Sequence, residues 1–366
     1  MKIGIVGCGN ISDIYLKNLT GVFSNVSVYA CADLDAAKAE NAAKTYGVPH
    51  VMTLEEMLAC DRIDLILNLT TPKGHYAISK RALCSGKHVY SEKPLALTYA
   101  EGKELCQIAA EKGLYIGCAP DTFLGAGIQT CAQLMKSGEI GRPIAATAFM
   151  MCHGHENWHP NPAFYYEIGG GPLFDMGPYY ITALVRLLGG AASVMAYATK
   201  GFAERTVTSE PHKGQKIQVQ VDTHVAGLIR FQNGAIATLV MSFDVWKHSM
   251  PYIEIYGTDG SLLMPDPNTF GGSVRLATKD APGDRDVPLV SPYDQNARGI
   301  GLSETVLAIA EGRINNASGA LALHVLEIME CLIKSAHTGE QVLLESSPSA
   351  PIDLDWAAAK GTLKTK

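Results

Sequence analysis

Apolar and polar positions in the first 120 residues come in alternating blocks. Lys2–Val6, Val26–Ala32 and Asp64–Leu69 are short, nearly continuous apolar runs, the pattern of strands buried on both faces of a parallel sheet. His88–Tyr90 and Tyr115–Gly117 read as two further strands. Between these runs the apolar residues fall at helical spacing: Ile14, Tyr15 and Leu19 first, then Ala36–Tyr46, then Tyr76–Ser85, which Gly86 stops. Thr53-Leu54-Glu55-Glu56 and Thr98-Tyr99-Ala100-Glu101 are capping boxes, the second opening a helix that runs to Glu111. Regular βα alternation predicts a doubly wound parallel sheet, whose ligands gather at the carboxyl ends of its strands.

Beyond residue 120 the period changes. Asp121–Ser137 reads as a helix closed by Gly138, and Pro143–Cys152 as an apolar strand. A glycine run, Gly169-Gly170-Gly171, then enters an apolar helix carrying Asp175 and Tyr179, four residues apart and so on one face. After it the pattern is of period two. Gln218–Phe231 alternates, Asn233-Gly234 reads as a hairpin turn into Ala235–Ser242, and Thr258-Asp259-Gly260 joins Tyr252–Tyr256 to Ser261–Met264. Antiparallel sheet follows from the pattern alone. Residues 280–298 are polar and read as a loop, helices follow at Leu302–Glu311 and Leu321–Ala336, and the tail from Ser346 is ordered only if it docks. A chain of 366 residues exceeds one ordinary core, and the change of period divides it into domains 1–120 and 121–366.

Composition narrows the function classes. A formal charge of −6 argues against a nucleic-acid partner, and no apolar run approaches the roughly 20 residues that span a bilayer. The N-terminus enters a strand at once without a hydrophobic signal segment, which leads to the expectation of a cytoplasmic protein. Nine scattered cysteines with no C-x-x-C pair read as reduced, structural thiols.

The first βαβ unit carries specific chemistry. Gly7-Cys8-Gly9-Asn10-Ile11-Ser12 lies between the first strand and its helix, and the second strand ends on Asp33. Gly7 makes the tight turn, and Gly9 lets a pyrophosphate approach the positive end of the helix. Ser12 stands at the third glycine position. A carboxylate at Asp33 accepts hydrogen bonds from both adenosine ribose hydroxyls and repels a 2′-phosphate. No arginine follows it, so NAD is favoured over NADP. Two other stretches end strands of the same sheet, Thr70-Thr71-Pro72-Lys73-Gly74-His75 and Tyr90-Ser91-Glu92-Lys93-Pro94.

On GIVGCGNIS, TTPKGHY, GKHVYSEKPLAL and GGGPLFDMG, in that order, the chain resembles the Gfo/Idh/MocA family of NAD(P)-dependent oxidoreductases. The resemblance implies a Rossmann domain joined to an α+β domain with a large, open, mostly antiparallel sheet, and substrates that are sugars, inositols or other cyclic polyols. It places Gly7, Gly9, Asn10 and Ile11 at the pyrophosphate, Asp33 at the adenosine ribose, and Thr70, Thr71, Pro72 and His75 along the cofactor groove. Glu92 and Lys93 fall at the nicotinamide end, and Asp175 at the family's substrate-binding aspartate. Where the family has its catalytic histidine this chain has Tyr179, and where a second acid is common it has Thr182. Family analogy also implies a homodimer or homotetramer.

Upstream of the glycine run lies His153-Gly154-His155-Glu156-Asn157-Trp158-His159-Pro160. Its spacing fits no standard zinc motif, so substrate contact is expected rather than metal. Asp121, His155, Trp158, His159, Tyr165, Asp175 and Tyr179 are the expected substrate residues, with Trp158 and Tyr165 suited to stack on a sugar ring. For the proton transfer, the reading is that Lys93 polarises the substrate hydroxyl and lowers the Tyr179 phenol into use as acid/base, while Asp175 fixes substrate hydroxyls. His155, His159 and Lys93 are the other candidates for the base. The implied reaction is oxidation of a secondary ring hydroxyl, at C3 in one form. The alternative is a redox-neutral hydrolysis or epimerisation through a transient 3-keto sugar, and a third reading is a non-catalytic NAD-binding sensor.

Overall fold

The computed structural model describes residues 1–348 and 350–366. Six parallel strands form the first sheet: β1 (Lys2–Val6), β2 (Ser27–Ala32), β3 (His50–Val51), β4 (Leu65–Asn68), β5 (His88–Ser91) and β6 (Ile116–Cys118), in the order β3-β2-β1-β4-β5-β6. The helices between them are α1 (Asn10–Gly21), α2 (Ala36–Tyr46), α3 (Leu54–Ala59), α4 (Pro72–Cys84) and α5 (Tyr99–Glu111). Both capping boxes form, each threonine accepting from the N3 amide while the N3 glutamate reaches back. Strand order reverses between β1 and β4, and the Gly7–Gly9 turn opens at that switch point.

Next come α6 (Ala126–Lys136), β7 (Pro143–Met151), α7 (Gly171–Leu188) and β8 (Ala191–Thr199). A small ribbon of β9 (Glu204–Thr206) and β10 (Lys216–Gln218) precedes β11 (His224–Phe231), β12 (Ile236–Ser242), β13 (Ile253–Gly257), β14 (Gly260–Met264), β15 (Val274–Thr278) and β16 (Ala281–Val287). The chain ends with α8 (Ile300–Glu311), α9 (Gly319–Thr338) and β17 (Val342–Leu343). Nine strands make the second sheet, ordered β16-β15-β14-β13-β7-β12-β11-β8-β17. All neighbours are antiparallel except β7 and β12. Ala146, Ala148 and Met150 of β7 alternate into the core, and the buried residues of α7 join the same cluster. Both expected hairpins are present, β11–β12 and β13–β14.

Three local expectations are corrected. The helix expected over Asp121–Ser137 is a 3₁₀ turn, Thr122–Leu124, followed by α6, because Gly125 interrupts it with extended backbone packed against Phe270. The alternation over Gln218–Phe231 is broken: Lys216–Gln218 pairs with β9, and the main strand restarts at His224. Residues 281–287, expected in a loop, form the edge strand β16. Its side chains are exposed on both faces, so hydropathy leaves no period to read. The tail does dock: the Ile352 amide donates to Asn316 Oδ1 (2.8 Å), and Gly361 donates to the Tyr293 hydroxyl (2.8 Å). The two sheets are joined near α9, where the Cys118 amide of β6 donates to the Ala317 carbonyl (3.0 Å) and α9 packs on both β8 and α5. No helix is long and apolar enough to cross a membrane among the described residues.

Candidate active site

At the switch point Gly7 has φ of +100°, and an added Cβ would meet Leu69 backbone at 2.7 Å, so only glycine serves there. Gly9 differs: a Cβ would meet nothing within 4 Å, and no side chain caps the first amides of α1. The cradle above Gly9, Asn10 and Ile11 therefore has open space and free N–H donors, which suits a dinucleotide's pyrophosphate. Ser12 is buried and returns its hydroxyl to the Gly9 carbonyl (2.6 Å), so a small polar residue fills the third glycine's place. Asp33 Oδ2 accepts from the Cys8 amide (2.7 Å) and Oδ1 from Asp35 (2.9 Å). These bonds lock the carboxylate beside the turn while each oxygen keeps a lone pair. Thr70, Thr71 and Pro72 border the groove at the start of α4, with Thr70 held by Asn68 Oδ1 (2.7 Å).

His75 is not in the groove. It is fully buried, its ring set between the Pro94 carbonyl (2.6 Å) and the Thr70 carbonyl (2.9 Å), and burial pushes its pKa down. It braces the two strand-end loops against each other. Glu92 is also buried, accepting from the Tyr15 hydroxyl (2.8 Å) and the Lys93 amide (2.9 Å), which aims the turn carrying Lys93.

Lys93 crosses to α7. Its Nζ donates to the Asp175 backbone carbonyl (2.7 Å) and to Asp175 Oδ1 (3.0 Å), and lies 5.3 Å from the centroid of the Tyr179 ring. Pro178 lacks the N–H that would bond the Phe174 carbonyl, so the helix is loosened just where Asp175 points at the first domain. On the other side of the carboxylate stands His155, Nε2 to Oδ2 3.4 Å. That nitrogen is buried without a hydrogen-bond partner, the 3.4 Å approach lacking bonding geometry. Burial alone would raise the Asp175 pKa, yet its charged surroundings, the Lys93 ammonium first among them, hold it at about 2. Burial opposes charge on Lys93 too, but Asp175, Tyr179 and Glu92 outweigh it and raise its pKa, which removes Lys93 as a base of depressed pKa.

For Tyr179 the outcome opposes the sequence expectation. Lys93 and the Arg298 guanidinium both favour its phenolate, but burial is the larger effect and Glu92 adds to it, so its pKa is raised. Asp121, expected among the substrate residues, is buried with Oδ2 accepting from the Gly299 (2.8 Å) and Gly301 (3.1 Å) amides. It anchors the start of α8 instead.

The loop 153–165 folds over Asp175 as an aromatic cluster. His155 is edge-on to Trp158, Tyr165 (4.3 Å between centroids) and Phe243, and His159 packs on Trp158 and Tyr165. Trp158 is 60% exposed, so its face is available for stacking rather than spent in the core. Beneath the loop lies a buried ion cluster: Arg205 donates to Glu156 Oε1 (2.9 Å), the Phe243 carbonyl (2.6 Å) and Asp244, while Tyr166 donates to Glu156. This cluster fixes the position of His155 and Phe243. It joins β9, the loop and the end of β12, residues far apart in sequence, and no local motif announces it. Arg298 and Tyr15 were missed for the same reason. No three His, Cys, Asp or Glu side chains converge as a metal site among the described residues.

A dinucleotide cradle beside a cluster in which Lys93 of the first domain meets Asp175 and His155 of the second defines a nucleotide-dependent oxidoreductase. The chain belongs to the Gfo/Idh/MocA family: residues 1–119 match the oxidoreductase family with NAD-binding Rossmann fold, and residues 128–263 match the GFO/IDH/MocA C-terminal domain. It is 27% identical to 1,5-anhydro-D-fructose reductase of Ensifer adhaerens over 304 residues, covering 81% of this chain and 84% of that one. It is 25% identical to D-glucoside 3-dehydrogenase of Escherichia coli over 272 residues, covering 72% and 77%. Its fold matches a levoglucosan dehydrogenase solved with NADH and L-sorbose, with TM-score 0.82, 21% identity and coverage of 94% and 99%. The chain is an NAD-dependent enzyme of this family.

Proposed function

We propose that the protein oxidises a secondary ring hydroxyl of a sugar, glycoside or cyclic polyol, the hydroxyl at C3 of a glycoside being the form we favour. The observation that carries this reading is the single carboxylate of Asp175 held between Lys93 (3.0 Å) and His155 (3.4 Å) opposite the dinucleotide cradle. The names of the sugar-active relatives support the substrate class, and the glucoside 3-dehydrogenase supports C3. NAD, bound over Gly7–Ile11 with its adenosine ribose at Asp33, supplies the hydride acceptor. Ionised Asp175 accepts from substrate hydroxyls and orients the ring, with Trp158 and Tyr165 stacking on its apolar face. Lys93 donates to the reacting oxygen and stabilises the negative charge that grows on it. His155 Nε2, a buried ring nitrogen without a partner, accepts the hydroxyl proton. Tyr179 stays a neutral phenol that packs under Lys93.

We take residues 1–120 as the cofactor domain and 121–366 as the substrate domain. Self-association as a homodimer or homotetramer is supported by Met195, Tyr197, Leu228 and Ile236, exposed apolar residues on the outer side of the second sheet.

The test is a panel of neutral sugars, aryl glycosides and inositols incubated with NAD, following absorbance of NADH and release of aglycone together. NADH accumulation with at least one member is expected. Aglycone release without NADH identifies the redox-neutral reaction instead, and binding of NADH with no turnover of any member overturns the dehydrogenase reading.

A further inference from the structure

Arg298 lies in the cleft between the domains, outside every role assigned above. Its backbone is tied to the first domain: Asn18 Nδ2 of α1 donates to the Asn296 carbonyl (3.0 Å) and to the Arg298 carbonyl (2.8 Å). α1 is the helix whose first turn forms the dinucleotide cradle. The side chain is half-buried and reaches the Tyr179 hydroxyl of α7, with Tyr15, one turn back along α1, in its surroundings. Its Nη2 donates to Asn268 Oδ1 (2.9 Å), its Nη1 approaches Asn296 Oδ1 (3.3 Å), and its guanidinium lies 5.9 Å from the Phe270 ring centroid.

All of those partners are neutral. Arg205 and Arg313 each hold two carboxylates, Glu156 with Asp244 and Glu304 with Glu311. Arg298 forms no ion pair with a carboxylate among the described residues; its side-chain contacts are Asn268, Asn296, the Phe270 ring and the Tyr179 hydroxyl. Asp121 is nearby, but its Oδ2 is occupied by the Gly299 and Gly301 amides, and burial pushes its pKa up to about 6. A partly withdrawn charge without a counter-charge is costly, and a guanidinium fork matches carboxylate and phosphate oxygens two at a time.

We propose that Arg298 is an oxyanion-binding residue of the cleft, pairing with a phosphate or carboxylate oxygen of a bound ligand, from either the cofactor's pyrophosphate or an acidic sugar. The proposal rests on the cleft being the NAD and sugar site, and its test reads binding as well as turnover, so the two readings fail separately. The measurements are dissociation constants of NADH and ADP-ribose by fluorescence and calorimetry, and kcat/KM for a hexuronate glycoside beside its neutral counterpart, in wild type and Arg298→Gln. If the oxyanion is the pyrophosphate, ADP-ribose and NADH both weaken at least tenfold in R298Q, with a smaller dependence on salt. If it belongs to the substrate, the two nucleotides stay within twofold while the hexuronate loses at least tenfold relative to the neutral glycoside. Arg298→Lys keeps the charge without the fork, and an intermediate loss on the same arm is expected. It also carries the test should R298Q not fold by circular dichroism. Constants for nucleotides and for both glycosides within twofold of wild type in a folded variant overturn the proposal.

Discussion

Replacing Tyr179 by phenylalanine separates the two candidate bases most directly. A phenol in water has a pKa near 10, about three units above neutral pH, so recruiting it as a base costs about 4 kcal/mol before any chemistry. In this site the cost is larger, because burial outweighs Lys93 and Arg298 and raises the Tyr179 pKa further. Its hydroxyl also has the Arg298 guanidinium beside it, whereas His155 Nε2 is unpartnered and 3.4 Å from the substrate-orienting carboxylate. An unpartnered imidazole nitrogen beside the substrate carboxylate is the better-placed acceptor. A positioned general base contributes roughly 10²- to 10⁴-fold. Single-turnover formation of NADH fluorescence, measured from pH 5.5 to 9, is then expected to fall by about that factor in His155→Asn and to stay within about tenfold of wild type in Tyr179→Phe. A hundredfold loss in Tyr179→Phe together with a near-normal His155→Asn would refute the assignment and return the proton to the phenol.

Two further substitutions test the pair and the cradle. Lys93→Met leaves Asp175 buried without its main counter-charge. The wild-type shift from 3.8 to about 2 corresponds to about 2 kcal/mol, a contribution fully present above pH 3.8 and lost as pH falls toward 2. Because that net value is what remains after the opposing burial penalty, urea unfolding at pH 7 should show a loss of at least about 2 kcal/mol, with hydride transfer down by more than a hundredfold, and the loss should be smaller in Lys93→Met/Asp175→Asn, where no bare carboxylate remains. An equal loss in the double variant would show that packing, not charge, was removed. Gly9→Ala should leave the melting temperature nearly unchanged, because φ is −85° and the new Cβ meets nothing within 4 Å. The methyl group occupies the open cradle, so NADH affinity should fall at least tenfold by fluorescence titration. Unchanged affinity would move the pyrophosphate elsewhere.

The first domain was legible in the sequence because its information is local. A strand, a glycine turn and a helix start are consecutive residues, so the βαβ unit that carries Gly7, Gly9 and Asp33 could be read from order alone. Capping boxes at Thr53 and Thr98 are four-residue devices and formed as read. His75 shows where order stops sufficing. It follows Thr70–Pro72 in one short stretch, yet the first turn of α4 directs it inward onto the Pro94 carbonyl, 19 residues away. The expected lowering of the Tyr179 phenol was out of reach of the sequence for the same physical reason. Helical spacing correctly put Asp175 and Tyr179 on one face, but a phenol's pKa depends on everything that excludes water from it, and that is set by Glu92, Arg298 and the buried surroundings of α7. The histidine we propose in its stead, His155, sits on a loop whose position is fixed by Arg205, Glu156 and Asp244, brought together from β9, the loop itself and the end of β12. In the proposed chemistry an imidazole stands beside the substrate carboxylate, carried by a loop rather than by the helix. A search for the motif histidine at position 179 could only find it missing, because what the reaction requires is a nitrogen about one hydrogen bond from the bound hydroxyl, whichever element delivers it.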